Sequence, residues 1–440
     1  SVYSRRNKAN KGIVMKLLLG WILFFSVSAA EFNPTRLLIK TQSPQLLKEL
    51  KNQSRIQHLF SSWYVAYTED VNKLESELSE LKTDIIFERD YRAQKNALPK
   101  VENSKSLPPS NNKSIFNDPK ADNVWSFRDA SKHGSSVDKA YQGNFPSPTE
   151  KIIVAIVDTG IDYNHEDLKD VMWINSGEIP NNNIDDDQNG YIDDVHGINT
   201  LQRDDQGNAS GAMMDTHSHG SHVSGTIGAA QNNGVGIAGI ASNVLLMGIR
   251  TVPNSGDELD VDVVESFIYA AKNGAKIINC SFGKDRNEGG QAVKEAIDFI
   301  GEKYGTLVVA AAGNSSRDID SRLTYPASFT STNLMVIGST TSNGRMSYFS
   351  NYGSKSVDLA APGSQIFSTT QGNGYGNMSG TSMASPTAAG IAAEVLSRHP
   401  GLTPQELKEV LMKTVTKSRR IRRSMASQGR IDLYNALNTL

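Results

Sequence analysis

A single cysteine, Cys280, stands in the 440 residues, so no disulfide forms within the chain. A chain without covalent staples has to draw stability from other sources, bound cations among them. Cys280 lies inside the apolar segment 275–282 and reads as a small buried core residue, not as a reactive thiol. Charge of one sign is missing too. The formal net charge of −2 gives no electrostatic grip on nucleic acid or on an anionic membrane, and the short cluster Arg419-Arg420-Ile421-Arg422-Arg423 reads as a solvated turn. The apolar stretch 17–27 is too short to cross a bilayer as a permanent helix.

That stretch has Met15-Lys16 ahead of it and Ser28-Ala29-Ala30 behind it, the charged start and small-residue exit of a secretory signal. Residues 1–30 therefore read as an N-terminal extension and signal, with translation starting at Met15 and cleavage after about Ala30. No cysteine follows to carry a lipid, so a secreted or periplasmic product is expected. Residues 31–95 alternate as β-α-β-β-α-β. A strand at 37–40 precedes a helix at 44–51 with Leu46, Leu47 and Leu50 on one face; paired strands fall within 56–67. Val71, Leu74, Leu78 and Leu81 then recur at helical spacing before a closing strand at 83–87. This order predicts a small ferredoxin-like α+β domain. Residues 96–114 turn to Pro, Ser, Asn and Lys, too polar to order by burial, and form a linker suited to proteolytic cutting.

From 115 to 440, apolar runs of strand length (151–157, 244–250, 275–283, 306–312, 334–338) alternate with helical patterns at 261–273 and 291–303. Alternation of this kind predicts an α/β domain, a doubly wound, mostly parallel sheet with helices on both faces. Three stretches in it carry chemistry. The run 151–157 ends in Asp158-Thr159-Gly160, a carboxylate at the edge where open α/β sheets place their sites. Asp215-Thr216-His217-Ser218-His219-Gly220-Ser221-His222 offers an imidazole. Gly380-Thr381-Ser382-Met383-Ala384-Ser385-Pro386, with Pro386 just inside the expected helix start, puts a hydroxyl and free N–H groups at a positive helix end. A serine needs a base to become a nucleophile, and an imidazole oriented by a carboxylate supplies one. The order Asp, His, Ser separates this chain from α/β-hydrolases (Ser, acid, His) and from chymotrypsin-like barrels (His, Asp, Ser). Three imidazoles within 217–222 also invite a zinc reading, but that leaves Asp158 and Ser382 unexplained and lacks a Glu base beside the histidines.

Val157-Asp158-Thr159-Gly160-Ile161, His219-Gly220-Ser221-His222-Val223-Ser224-Gly225 and Gly380 through Pro386 together closely resemble the motifs of the subtilisin-like serine peptidases, the subtilases, over roughly residues 115–440. The resemblance implies a triad of Asp158, His219 and Ser382, with His222 structural and Asn314 completing an oxyanion hole beside the Ser382 N–H. It implies that Ser255, Gly256, Ser281, Phe282 and Gly283 pair with an extended peptide, and that Thr324 floors the main specificity pocket, shortening it relative to glycine. The domain 31–95 would then be a propeptide that blocks the site until cut, an unrelated interaction domain being the alternative, and the mature chain would begin near Ile115. Asp257, Glu258, Asp260 and Asp262 border the groove in this mapping, which suggests a preference for basic residues upstream of the cut, or else a solvated loop.

A second signal is Asp185-Asp186-Asp187-Gln188-Asn189-Gly190-Tyr191-Ile192-Asp193-Asp194. Oxygen ligands alternate, Gly190 stands at the sharp turn and Tyr191 offers a carbonyl, as in the front half of an EF-hand loop. The twelfth position is His196 and not Glu, so Asp193 or Asp194 is expected to substitute. A structural Ca2+ is expected here, with a merely solvated acidic loop as the alternative; Asn233, in an Asn-Gly turn, is a thinner candidate at a second site. The leading expectation is a secreted serine endopeptidase, monomeric, made as a self-inhibited zymogen and acting on protein or peptide substrates. A catalytically silent subtilase fold used for binding, and an esterase or acyltransferase with the same three residues, are the alternatives.

Overall fold

The computed structural model of the chain describes residues 31–81, 85–92, 98–102, 113–284 and 289–440. The signal expected in residues 1–30 lies outside these, and among the described residues no helix is long and apolar enough to cross a membrane. The N-terminal unit runs β1 (Phe32–Lys40), α1 (Pro44–Lys51), β2 (Arg55–Phe60), β3 (Trp63–Tyr67), α2 (Val71–Glu80) and β4 (Ile86–Tyr91). Its strands pair antiparallel in the order β2-β3-β1-β4, the ferredoxin-like arrangement. Helix α1 starts where Ser43 accepts from Leu46 N with Pro44 in the first turn, and α2 where Asp70 accepts from Asn72 N and Lys73 N.

Side chains alternate along a strand, so β1 serves two cores. Leu37 and Ile39 pack with Leu46, Leu50, Leu74 and Leu78 under the unit's own helices, while Leu38 faces the other way and joins Phe60, Trp63 and Val65 against Phe267 and Val293 of the larger unit. The closing strand runs over Ile86–Tyr91, overlapping the end of the expected 83–87 and continuing past it, while 83 and 84 lie outside the described residues. Polar side chains hid it, because Glu88 and Asp90 reach across to the larger unit. Glu88 accepts from Gln291 N (3.2 Å) and Ala292 N (2.9 Å), and Asp90 from Val261 N (2.9 Å), so one strand caps two helix N-termini. Arg36 completes the contact with ion pairs to Asp90 (2.6 Å) and to Asp262 (2.8 Å), and Asp262 is held in turn by Arg203 (2.6 Å).

The larger unit holds α3 (Val137–Tyr141), β5 (Ile152–Asp158), β6 (Gly197–Arg203), β7 (Ala209–Ser210), α4 (His219–Gly228), β8 (Val244–Arg250), α5 (Asp260–Lys272), β9 (Ile277–Cys280), α6 (Gln291–Tyr304), β10 (Leu307–Ala311), β11 (Leu334–Thr340) and β12 (Leu359–Pro362). It continues with β13 (Ile366–Thr370), β14 (Gly374–Met378), α7 (Thr381–Arg398), α8 (Pro404–Lys413), β15 (Thr416–Lys417), β16 (Gly429–Arg430) and α9 (Leu433–Thr439). Its main sheet has the order β15-β16-β12-β11-β10-β9-β5-β8-β6-β7, parallel except at the two outermost pairs. Helices α4 and α7 pack on one face and α5 and α6 on the other, which explains why β5 reads as an unbroken apolar run: both of its sides are covered. Two boundaries differ from expectation. Strand β9 stops at Cys280, so 281–283 leave the sheet, and α7 starts at Thr381, which puts Pro386 inside the helix and not at its start.

Replacing Arg36 with Met would strand the buried Asp90 carboxylate without its cation. Loss of about 3–5 kcal/mol is expected, read as a lower thermal midpoint of the full chain; an unchanged midpoint would count against this contact as a structural element.

Candidate active site

Asp158 ends β5, at the C-terminal edge of the sheet. Its Oδ1 accepts from Thr159 N and from His219 Nδ1, both at 2.7 Å. A carboxylate only accepts, so Nδ1 donates, and in a neutral ring Nε2 would then hold the lone pair; Nε2 is buried and has no partner among the described residues. The approach depends on two glycines. Gly160 adopts φ +101°, and a Cβ on Gly220 would sit 2.0 Å from the Gly160 carbonyl oxygen, so only glycine lets the start of α4 come this close to the end of β5. Asp215, to which sequence reasoning gave no role, organises the turn: it accepts from His217 N, Ser218 N and Ser221 N, and from the hydroxyls of Thr159 and Ser221.

Ser382 lies in the first turn of α7. Proline has no N–H, so Pro386 leaves the Ser382 carbonyl without its helical donor, and Ser281 Oγ donates to it at 3.1 Å. In return Ser382 Oγ donates to the Ser281 carbonyl at 2.9 Å. The expected continuous line from carboxylate through imidazole to hydroxyl is therefore incomplete, because the hydroxyl bonds Ser281 and not His219. Beneath it a buried chain runs from Ser385 Oγ to Asn279 Oδ1 and from Asn279 Nδ2 to Ser281 Oγ, each 2.8 Å. Asn314 Oδ1 accepts from Thr381 N (2.8 Å) and Thr381 Oγ1 (2.9 Å), which fixes the amide and leaves Nδ2 as its free donor.

Ser382 and Asn314 line one cleft. Of the residues expected to meet substrate, Gly256, Ser281, Phe282, Gly283 and Thr324 line it too, whereas Ser255 is exposed outside it. Leu98 and Pro99 are seated in the same cleft, Arg92 bridges antiparallel to Leu259, and Glu102 N donates to Asn377 O at 2.8 Å. The described part of the linker is thus held against the larger unit, contrary to the solvated tether its composition suggests. The acidic stretch is not a solvated loop either. Asp260 is paired with Lys284 (2.6 Å), Asp262 with Arg36 and Arg203, and burial pushes the Glu258 carboxyl up to about 8.

The Subtilase family model matches residues 149–429. The chain belongs to the subtilase family. It is 35% identical over 284 residues to a thermophilic serine proteinase of Bacillus sp. (strain AK1), covering 64% of this chain and 61% of that protein. Thermitase of Thermoactinomyces vulgaris is 34% identical over 284 residues, 64% of this chain and 88% of that one. Subtilisin-like protease 1 of Plasmodium berghei is 30% identical over 383 residues, 83% of this chain and 60% of that one. The chain thus spans about three-fifths of the length of two of these relatives. The crystal structure of fervidolysin from Fervidobacterium pennivorans, described as a keratinolytic enzyme related to subtilisin, superposes with a TM-score of 0.73 at 22% identity, covering 93% of this chain and 61% of that one. That likeness is one of fold.

In this subtilase the acidic loop gathers differently from the expected EF-hand order. Asp187 and Asp194 converge with Glu178, carboxylate oxygens of all three lying within 4.8 Å of one another. Asn189 donates its amide to Asp187 and Asp194, Asp185 caps Asn189 N and Gly190 N, Asp193 caps Asn182 N and Asn183 N, and the Tyr191 hydroxyl donates to Glu265. Of the acidic residues expected as ligands, Asp185 and Asp193 serve as the loop's caps and stand outside this carboxylate cluster. Glu178 went unnoticed because it precedes the Asp run and no spacing rule ties it in. Burial raises the Asp194 and Glu178 carboxyls, and neighbouring carboxylates raise them further, so the cluster fits a hard divalent cation held by oxygen. Asn233 has the role of a turn: its amide donates to Asp167 and its Oδ1 accepts from Val235 N.

His222 is structural, as expected. Its Nε2 faces the carbonyls of Ile366 (2.9 Å) and Gly376 (3.2 Å), and burial pushes its pKa down to about 3. The unfolded chain protonates it near 6.5 and the folded one does not, so its contribution is complete above that pH and is lost below it, at about 1.4 kcal/mol per pH unit. Melting curves from pH 7 to pH 4 should flatten in His222→Gln, which keeps an N–H donor. Thorough chelation should lower the thermal midpoint by about 5 °C and Glu178→Gln should remove most of that response; a midpoint indifferent to chelator would dismiss the cation.

Proposed function

We propose that this subtilase is a serine endopeptidase that works through Asp158, His219 and Ser382 and is made with its own inhibitor. The observation that carries the reading is the 2.7 Å bond from His219 to Asp158, which leaves a buried, unpartnered Nε2 as base. Asp158 fixes the tautomer and stabilises the imidazolium once formed. Rotation of the Ser382 side chain away from Ser281 toward Nε2 lets His219 take the proton as Oγ attacks the peptide carbonyl. Asn314 Nδ2 and the Ser382 N–H then receive the oxyanion. His219 delivers the proton to the leaving amine, and water hydrolyses the acyl-enzyme.

The N-terminal unit is the proposed inhibitor. In support, β4 caps α5 and α6, and Leu98 and Pro99 sit in the cleft of Ser382. Removal of the unit by cutting within 96–114 would free the site. Secretion, a monomeric state and a structural Ca2+ at Glu178, Asp187 and Asp194 complete the reading. The turned hydroxyl of Ser382 is what a catalytically silent fold would also show, and an esterase would share the triad.

Once its N-terminal unit has been cut away, the purified protein should hydrolyse casein and take up a fluorophosphonate label, and Ser382→Ala, cut in the same way, should do neither. Asn314→Ala should lower kcat by about 10²–10³-fold, the range known for such a donor in a subtilisin. A protein that binds peptides without cutting them would be the silent fold, and one that cuts simple esters alone would be the esterase.

A further inference from the structure

The arginine cluster near the C-terminus reads in the sequence as a solvated turn, and the structure shows its charges gathered and without counter-charges. The turn is pinned from beneath. Ile421 and Met425 are buried, Ser424 N donates to Ile421 O (2.9 Å), and Ala426 N donates to Val357 O (2.8 Å), which leaves Arg419, Arg420, Arg422 and Arg423 exposed on a fixed backbone. The turn packs on the segment 343–355: Arg420 Nη1 donates to Asn343 O (2.5 Å) and Gly353 N to Ser424 O (2.9 Å), so the exposed Arg345 and Lys355 join the same surface. Among the described residues none of these six cations is in an ion pair. Asp320, the acidic side chain that does reach this segment, accepts from Lys355 N (3.1 Å), Ser356 N (2.8 Å) and Ser354 Oγ (3.0 Å), and from no cationic head. Like charges held this close repel, and nothing in the fold relieves them, so the cluster fits a polyanion arriving from outside. Guanidinium forks bond carboxylates two oxygens at a time.

The surface is continuous with the cleft of Ser382. Asn351, in the same segment as Arg345 and Lys355, donates its N to Gly313 O (2.9 Å) and its Nδ2 to Ala312 O (2.8 Å), and accepts from Ser315 N (3.0 Å), so it fixes both neighbours of Asn314. The chain from Arg345 to Asn351 spans at most about 22 Å even when fully extended, the reach of a short peptide segment. On the way Tyr348 stands 90% exposed with its ring edge-on to Phe349, a shelf for a chain to cross. We propose that this surface recruits substrate: it holds an acidic tract, a run of Asp or Glu outside the cleft, in a chain whose attacked bond lies at Ser382. This rests on the peptidase reading above. An anionic bilayer fits less well, because Ile421 and Met425 face inward and the exposed turn presents no large apolar side chain to insert. Binding remote from the reacting bond holds ground state and transition state equally, so its effect belongs in KM and not in kcat.

The test uses the enzyme freed of its N-terminal unit, with active sites counted by fluorophosphonate titration, and quenched peptides that share one cleaved sequence. One carries a run of Glu beyond a flexible Gly-Ser spacer, placed before the cut or after it; its control carries a run of Ser. At low ionic strength the Glu peptide should have KM lower by about tenfold in at least one placement, with kcat alike. The advantage should vanish near 1 M salt, where the screening length falls to about 3 Å. Arg419→Glu, Arg422→Glu and Arg423→Glu together, at three side chains with no hydrogen bond among the described residues, should turn the preference to a run of Lys, a gain that a misfolded variant could not show. Equal KM values in both placements, an advantage indifferent to salt, or a Glu preference that survives the triple change would overturn the proposal. So would capture of the unmodified enzyme by anionic vesicles with no preference among the peptides, which would assign the surface to a membrane. An enzyme that took no label and cut none of the peptides would instead bring down the peptidase reading beneath it.

Discussion

The contact of Gly220 with the carbonyl of Gly160 is the constraint on which the rest of the site depends. It sets the first turn of α4 against the exit of β5, closer than any side chain allows, and so brings an imidazole to a carboxylate from a different part of the chain. Neither group would hold there alone. Asp215 pins the turn before α4 through three backbone N–H groups, Thr159 links it to β5, and Gly220 N donates to Thr159 Oγ1 at 3.0 Å. The bond between Asp158 and His219 is therefore the visible end of a network that the parallel sheet makes possible by ending its strands on one side.

The same economy explains how a chain without disulfides fixes two units to each other. Four groups of the N-terminal unit, Arg36, Lys40, Glu88 and Asp90, meet opposite charges or helix N-termini of the larger one. Buried ion pairs add little net stability because desolvation offsets their attraction, but they penalise any wrong alignment heavily, since a displaced Arg36 would leave Asp90 buried alone. Apolar packing of Leu38, Phe60 and Trp63 supplies the attraction, and the charges supply the register. Asp262 has the further effect of joining this interface to Arg203 and Glu265, and Glu265 accepts from Tyr191 at the end of the acidic loop.

Much of this was legible beforehand, for physical reasons. Strands buried on both faces leave continuous apolar runs, so β5, β8, β10 and β11 stand out in the sequence, and the two N-terminal helices show in their apolar spacing. The three motifs pointed to Asp158, His219 and Ser382 because glycines at close approaches and a serine in a small-residue helix leave marks in one dimension. What stayed hidden depends on partners distant in sequence. Glu88 and Asp90 disguise β4 because they serve another unit, Glu178 joins Asp187 and Asp194 only in three dimensions, and the pairing of Asp260 and Asp262 is hidden because their cations come from residues 36, 203 and 284. Composition also misjudged residues 98–102, where backbone pairing holds a segment that burial alone would not.

Pro386, expected just inside a helix start, lies five residues after the first residue of α7, and that position shows how a single residue shapes the nucleophile's surroundings. Inside α7 it costs a hydrogen bond, and the bond it removes is the one from the carbonyl of Ser382. That carbonyl takes the Ser281 hydroxyl in its place, and the Ser382 hydroxyl takes the Ser281 carbonyl, so the two serines are tied reciprocally across the gap between α7 and the end of β9. On the reading proposed above, Ser281 belongs to the segment that pairs with a substrate backbone. A peptide N–H arriving at the Ser281 carbonyl would compete for the acceptor that Ser382 now uses, and the displaced hydroxyl would have the lone pair of His219 Nε2 as its remaining partner. Substrate binding and alignment of the nucleophile would then be one event, which gives a proline inside the helix at this position a physical purpose.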